Sequence, residues 1–360
     1  MKKVYFTQIN NLIADAIFLP LSVAYIWEYC KTQVTDWELG DIFFERESVE
    51  DYLKKIDNPD ILALSTYVWN WDITCQLARA VKKKYPNCKI VMGGPQVPFK
   101  QSWLEDNTDL CDIIVTYAGE RAFAEILKGN YTYPGVMTKE SYTPPKPDRE
   151  LNDIPSPYLS GLMDSLMKPG KQYSAIIETN RGCPYSCSFC DQQDLYYNKI
   201  AMFDYDRVIG EIDWVVKNKI DFLYFGDSNV GMFNRDVDFI RHIAKRRNET
   251  GYPRQIDYST AKQQPKRIVE LGEILNKEAK IRRGVTIALQ SMNPKTLKAI
   301  KRINLANEKL EQIVGDYNKA GVDNYCELIV GLPEETLDSW IEGIGKILEL
   351  GSDHALTVHP

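Results

Sequence analysis

Three cysteines stand at the spacing C-x-x-x-C-x-x-C in the run Cys183-Pro184-Tyr185-Ser186-Cys187-Ser188-Phe189-Cys190, directly after a strand-like segment from Tyr173 to Thr179. Three thiolates this close together can hold three irons of a 4Fe–4S cluster and leave the fourth iron open. An open coordination position separates a reactive metal site from a structural one. The competing chemistry is a structural zinc site. Zinc usually takes four ligands arranged in C-x-x-C pairs, and no fourth cysteine or histidine lies nearby in the sequence. Gly182, before the first cysteine, gives the loop the freedom to bend.

The longer run from Glu178 to Cys190, with the aromatic Phe189 just before the third cysteine, resembles the cluster loop of the radical S-adenosylmethionine (SAM) enzymes. In that family the open iron is chelated by the amino and carboxylate groups of SAM, and one electron from the cluster cleaves SAM to a 5′-deoxyadenosyl radical. The resemblance implies that Cys183, Cys187 and Cys190 are the iron ligands and that Phe189 lies against the adenine or packs behind the cluster.

The composition fits a globular protein of about two domains at the usual ~100–200 residues each. Of the 360 residues, 44% are hydrophobic and 26% charged, and the net charge is −6. No global basic field marks nucleic acid as a partner. Cys30, Cys75, Cys88, Cys111 and Cys326 are scattered and read as buried free thiols. No signal peptide precedes the first strand-like run, and no stretch approaches ~18 uninterrupted apolar residues. The expected setting is a reducing cytoplasm, where clustered thiols mean metal or redox chemistry.

Residues 1–130 alternate strand and helix signals. Strands are expected at Val4–Ile9, Trp37–Phe44, Ile61–Ser65, Lys89–Met92 and Asp112–Thr116, with helices between, one of them capped by Ser48. The pattern predicts a flavodoxin-like, doubly wound α/β domain, whose ligands lie at the carboxyl ends of the strands. Those ends include Ser65-Thr66, Gly93-Gly94-Pro95 and Tyr117-Ala118-Gly119-Glu120. Met92-Gly93-Gly94-Pro95 followed by Ala118-Gly119-Glu120 resembles the cobalamin-binding domain that precedes many radical SAM barrels. The resemblance implies that Ser65, Thr66, Gly93, Gly94, Gly119 and Glu120 touch cobalamin. The D-x-H-x-x-G motif of histidine-ligating cobalamin proteins is missing, and the first histidine is His242. The domain therefore either binds cobalamin without an imidazole ligand or keeps the fold without the cofactor.

Residues 131–172 hold seven prolines, from Pro134 to Pro169, and read as a linker. From residue 173 to 360 a second alternation begins. Its six strand-like runs are Tyr173–Thr179, Phe222–Gly226, Gln255–Thr260, Gly284–Leu289, Tyr325–Gly331 and Ala355–His359. This predicts a partial (β/α)6 barrel of TIM type, with chemistry at the carboxyl ends of its strands. The cysteine loop follows the first strand, as that rule requires.

The family resemblance assigns roles to the other strand ends. Asp227 matches the place that meets the SAM ammonium, although Asp-Ser-Asn is also ordinary turn chemistry. Lys262 stands where relatives often carry a basic residue for the SAM carboxylate; an exposed lysine reads equally well. Gln290 and Ser291 match a polar pair that reaches the ribose or carboxylate, and Ser291 also suits the start of the next helix. Ile329 matches the apolar residue that packs on adenine, with core packing as its ordinary role. Glu334 departs from the glycine that most relatives carry in this turn. Glu327, inside an apolar strand, is a candidate for the barrel lumen. His242 reads as a solvated helix residue, and His354 and His359 flank the last strand.

The implied function is reductive SAM cleavage at a 4Fe–4S cluster, used for cobalamin-dependent methyl transfer to an unreactive carbon or phosphorus centre of a small molecule or peptide. A flavodoxin- or ferredoxin-type protein would supply the electron. The alternatives are a cobalamin-independent rearrangement or cyclisation enzyme, and an iron–sulfur electron-transfer protein that never cleaves SAM. Relatives usually add a closing helix and a C-terminal region that shapes the substrate pocket after the sixth strand, which implies either that this sequence is a fragment or that something else covers that side.

Overall fold

A computed structural model describes residues 1–13, 16–190, 198–281, 284–305, 307–349 and 354–359. The chain divides into two compact units, Met1–Ser174 and Ala175–Pro360.

The first unit is built on a six-stranded sheet. Its order is Trp37–Phe43, Lys2–Thr7, Ile61–Ser65, Lys89–Gly93, Ile113–Val115 and Val136–Met137. The first five strands are parallel and the last is antiparallel. In sequence order the parallel strands run 2-1-3-4-5, the flavodoxin arrangement, in which the strand order reverses between the first and third strands. The central strand Ile61–Ser65 is almost wholly buried, as its apolar run requires of a strand covered on both faces. Helices Leu21–Gln33 and Glu120–Leu127 pack together. Leu77, Ala78 and Val81 of Trp71–Lys84 join the core around Leu62 and Leu64. Ser48 caps the helix Val49–Lys55, accepting from the Asp51 N–H at 3.2 Å.

Residues 131–172, expected as a spacer, contribute elements to this unit. Val136–Met137 closes the sheet edge, and the 3-10 turn Leu151–Asp153 follows. Arg121 ties the segment down. Its guanidinium reaches Asp148 at 2.8 Å, Asp153 at 3.2 Å and the Tyr29 hydroxyl at 2.8 Å. A short hairpin, Leu12–Ile13 with Ala16–Phe18, is a further element; Ala16–Phe18 pairs in parallel with Gln172–Ser174.

In the second unit the strand ending at Ile177 is followed by Phe222–Val230, Gln255–Thr260, Val285–Gln290, Asn324–Ile329 and His354–His359. All six expected strands are present. Helices Tyr205–Lys217, Asn234–Thr250, Pro265–Glu273, Pro294–Ala299, Asn307–Ala320 and Leu337–Glu349 lie between them. The strands form two parallel arcs, one ending at Gln255–Thr260 and the other starting at Val285–Gln290. Among the described residues the arcs meet through the Thr260 hydroxyl, which donates to the Thr286 carbonyl at 2.8 Å, rather than through a ladder. Along Asn324–Ile329 burial alternates strictly. Cys326 and Leu328 enter the core with Leu289, Leu310 and Ile347. Tyr325, Glu327 and Ile329 share the opposite face, which places Glu327 on the lumen side as expected.

Gly94, directly after the strand Lys89–Gly93, is a position where a side chain would meet backbone. Its φ is +104°, and a Cβ would lie 2.5 Å from the Thr66 carbonyl oxygen. Gly94→Ala combines strained backbone with a backbone clash and should cost at least about 1–3 kcal/mol. Thermal unfolding checks this: the variant should melt several degrees lower, and an unchanged midpoint would show that the turn has room to move.

Candidate active site

The three cysteines sit where the first barrel strand ends. Asn180-Arg181 pairs antiparallel with Ala201-Met202, closing the base of the intervening loop. Gly182 has a φ of +111°, in the region that favours glycine, and lets the chain turn sharply into Cys183. Cys183 and Cys187 are buried and Cys190 is half-buried. The Cys190 N–H donates to the Cys187 carbonyl at 3.0 Å, and the Ser188 N–H donates to Ile300 at 3.0 Å, so the loop is held from both sides. Phe189 is half-buried within it.

Positive charge converges on this loop. Lys262, after the third strand, brings Nζ to 3.9 Å from Cys187 Sγ and lies 5.4 Å over the Tyr185 ring. The exposed-lysine reading of Lys262 is therefore set aside. Arg302, only 6% exposed, places Nη1 3.9 Å from the same sulfur. Its remaining donors are fixed: Nη2 donates to the Ala288 carbonyl and Nε to Asn304 Oδ1 at 2.9 Å. Asn304 in turn donates to the Leu289 and Ser291 carbonyls at 2.8 and 2.9 Å. Burial lowers the pKa of both cations; Arg302 lowers Lys262 further, and the cysteines oppose the shift. Asn229 completes the set, with Nδ2 3.3 Å from Cys183 Sγ.

Among the described residues no group of three or more His, Cys, Asp or Glu side chains is gathered around a single ion position. A 4Fe–4S cluster makes no such demand, because each thiolate binds its own iron. Three cysteines on one loop, facing a buried arginine, a half-buried lysine and an amide donor, suit a cluster whose thiolates need compensating charge.

Asp227 is engaged by the chain itself. It is 3% exposed, and the bonds to its carboxyl come from the protein: Thr179 N–H at 2.8 Å, Asn180 N–H at 3.0 Å and the Thr179 hydroxyl at 2.7 Å. It clamps the turn that leads into the cysteine loop. Ser291 is likewise engaged, donating to Glu335 and accepting from the Asn293 N–H at 3.0 Å. Gln290 is buried with a φ of +66°, beside an irregularity in the strand pairing between Ala288 and Gln290. Such strained conformations gather at functional sites. Ile329 is half-buried on the lumen face. His242 is paired rather than solvated, its Nε2 2.9 Å from Asp213. The side chains of His354 and His359 lie outside the described residues.

In the first unit, Thr66 and Gly93 are joined at the carboxyl edge of the sheet. The Thr66 N–H and hydroxyl donate to the Gly93 carbonyl at 2.7 and 2.9 Å. The Thr66 hydroxyl also accepts from the Val97 N–H at 3.1 Å, so it organises the turn. Ser65 is half-buried beside it. Gly119 packs towards Ile26, and Glu120 is buried at 4% exposure. The same edge exposes apolar surface: Val68 is 76% and Trp69 43% exposed, and Trp69 stacks on Tyr67 at 4.5 Å. Asn70, fully buried, fastens this loop by donating to Ile9 and Ser65 carbonyls at 3.1 and 3.0 Å. Arg302 and Asn70 carry no sequence signal of their own, and Asn229 is visible only as part of the Asp-Ser-Asn run at a strand end; the fold alone turns its amide to Cys183.

Burial pushes the Asp227 carboxyl up to about 7, against the pull of its three donors. The folded chain then holds a proton that the unfolded chain releases near pH 4. Stability from this group is full at acid pH and is lost as pH rises through about 7, a change of roughly 4 kcal/mol. Asp227→Asn should flatten that part of the stability profile between about pH 4 and 7. Denaturant melts of both proteins at three pH values would show it; parallel profiles would refute it.

The Radical SAM superfamily pattern matches residues 177–345, and the B12 binding domain pattern matches residues 12–127. The cobalamin-dependent radical SAM methyltransferase TokK of Streptomyces tokunonensis is 34% identical over 99% of this chain and 55% of its own length. The 2-(S-pantetheinyl)-carbapenam-3-carboxylate methyltransferase of Streptantibioticus cattleyicolor is 33% identical over the same shares. The chain thus spans about half the length of these curated relatives. The structure of the radical SAM methyltransferase TsrM from Kitasatospora setae matches with a TM-score of 0.71 at 15% identity, covering 100% of this chain and 73% of that one. The cobalamin-dependent SAM radical enzyme OxsB matches with a TM-score of 0.69 at 16% identity, covering 96% and 52%. These two likenesses establish the shared architecture of a flavodoxin-like domain and a partial barrel. Taken together, the two patterns in this order, similarity along nearly all of this chain and the cysteine loop at the first strand end mean that the chain belongs to the radical SAM superfamily, in the group that carries a B12-binding domain ahead of the barrel in sequence.

Proposed function

We propose that this protein is a cobalamin-dependent radical SAM methyltransferase acting on a small molecule. The observation that carries the reading is the cysteine loop set against Lys262 and Arg302 at the carboxyl end of a barrel that follows a B12-binding domain in the sequence. When bound, the 4Fe–4S cluster supplies an electron to SAM and cobalamin carries the methyl group.

Cys183, Cys187 and Cys190 would hold the cluster. Arg302 has its guanidinium locked by Ala288 and Asn304, so it can present one fixed positive edge to a carboxylate and to Cys187 at once. Lys262 supports it from the third strand. Phe189 and Ile329 offer apolar surface to adenine, and Gln290 a polar group to the ribose. Asp227 and Ser291 act one step back: Asp227 fixes the entry to the cysteine loop, and Ser291 fixes the turn after the fourth strand through Glu335.

For cobalamin, the strand-end edge of the first unit combines bare backbone at Gly93-Gly94 with the exposed apolar loop Tyr67–Trp69. Such a surface suits a broad, mostly apolar ring. Residues 1–174 contain no histidine, so no imidazole from this unit ligates the cobalt. An external one-electron reductant and a cytoplasmic setting complete the proposal. No helix among the described residues is long and apolar enough to cross a membrane.

Reconstitution with hydroxocobalamin, removal of the excess and a UV–visible spectrum test the reading. Roughly stoichiometric retention, with the spectrum of cobalt lacking a histidine ligand, is expected. A protein that retains none would not be a cobalamin-dependent methyltransferase.

A further inference from the structure

We infer that Asn229 is a positioning residue for the iron–sulfur cluster: its side-chain amide donates to the Cys183 thiolate and sets the cluster's reduction potential. The inference rests on the cluster reading above. Asn229 is the last residue but one of the strand Phe222–Val230 and is 5% exposed. Its Nδ2 lies 3.3 Å from Cys183 Sγ, while its Oδ1, also enclosed, meets no partner among the described residues.

That asymmetry is informative. A buried carbonyl oxygen without a partner costs about 1–3 kcal/mol. A neutral side chain would be expected to relieve this by packing an apolar group instead. The amide is useful where the facing sulfur is negative, because an N–H donor to an anion is strengthened by the charge. With the sulfur as thiolate, the opposite flip would set Oδ1 against negative charge, so the charge fixes which way the amide points. A carboxylate at this position would repel the same thiolate.

The site also divides its donors. Cys187 faces two cations, Lys262 and Arg302, each 3.9 Å away. Cys183 faces a neutral donor from the irregular end of the second strand, between its paired residues Phe225 and Val230. Hydrogen bonds to cluster sulfurs are one of the protein's levers on reduction potential, raising it by stabilising the more negative, reduced state. Asn229 supplies that lever without adding a charge to the cavity.

The test compares wild type, Asn229→Ala and Asn229→Asp after anaerobic reconstitution, by iron and sulfide content and by EPR-monitored redox titration. The expected result is a full cluster in each, with a midpoint potential shifted downward in Asn229→Ala and further downward in Asn229→Asp. Full clusters with unchanged potentials would overturn the inference. If Asn229→Ala takes up no cluster, Asn229→Gln, which returns a donor, decides: recovered uptake supports the role, and continued loss overturns it in favour of a purely structural one. A wild-type protein that forms no four-iron cluster would instead refute the cluster reading itself, so the two failures are distinguishable.

Discussion

The barrel depends on balancing negative charge in a confined place. Three cysteines on one loop are useful to iron only as thiolates, and two of them are buried. Buried charge needs nearby opposite charge and hydrogen-bond donors. The fold delivers these from separate strand ends: Lys262 after the third, Arg302 beyond the fourth, and Asn229 at the end of the second. None could reach the loop without the parallel barrel, which gathers all its strand ends on one side. The cations' own lowered pKa values record the cost of the arrangement.

Around that centre lies a layer of residues whose work is geometric. Asp227 accepts from Thr179 and Asn180 and so fixes the approach to Cys183. Glu335 receives Ser291 and holds the turn where Gln290 is forced to positive φ. Asn304 holds Arg302 by one face and two backbone carbonyls by the other. Each of these polar side chains is saturated by protein partners, which gives the site rigidity before any ligand arrives.

Much of this was legible in the sequence. The C-x-x-x-C-x-x-C spacing marks the chemistry, and the continuous apolar runs mark buried parallel strands, so both halves of the architecture follow from local pattern. The short pieces do not. Ala16–Phe18 and Val136–Met137 are too short to show a period, and they exist because a neighbouring strand offers its edge. The proline-rich stretch reads as a spacer because prolines interrupt ladders, yet Arg121 and its acidic partners pin it by contacts far apart in sequence. Asp227 illustrates the limit for the site. Its position at a strand end is visible from the sequence, but the direction of its carboxyl, back towards Thr179, is a tertiary fact. Arg302 sits in a basic run, Lys301-Arg302, that looks like surface, and only the fold turns it inward.

The central claim is that the cysteine loop is a SAM-binding cluster site. The most direct measurement is the EPR spectrum of the anaerobically reconstituted, dithionite-reduced protein before and after SAM is added. A cluster held by three cysteines, with one iron left open, should change its signal when SAM binds. A reduced cluster whose spectrum is indifferent to SAM would contradict the account.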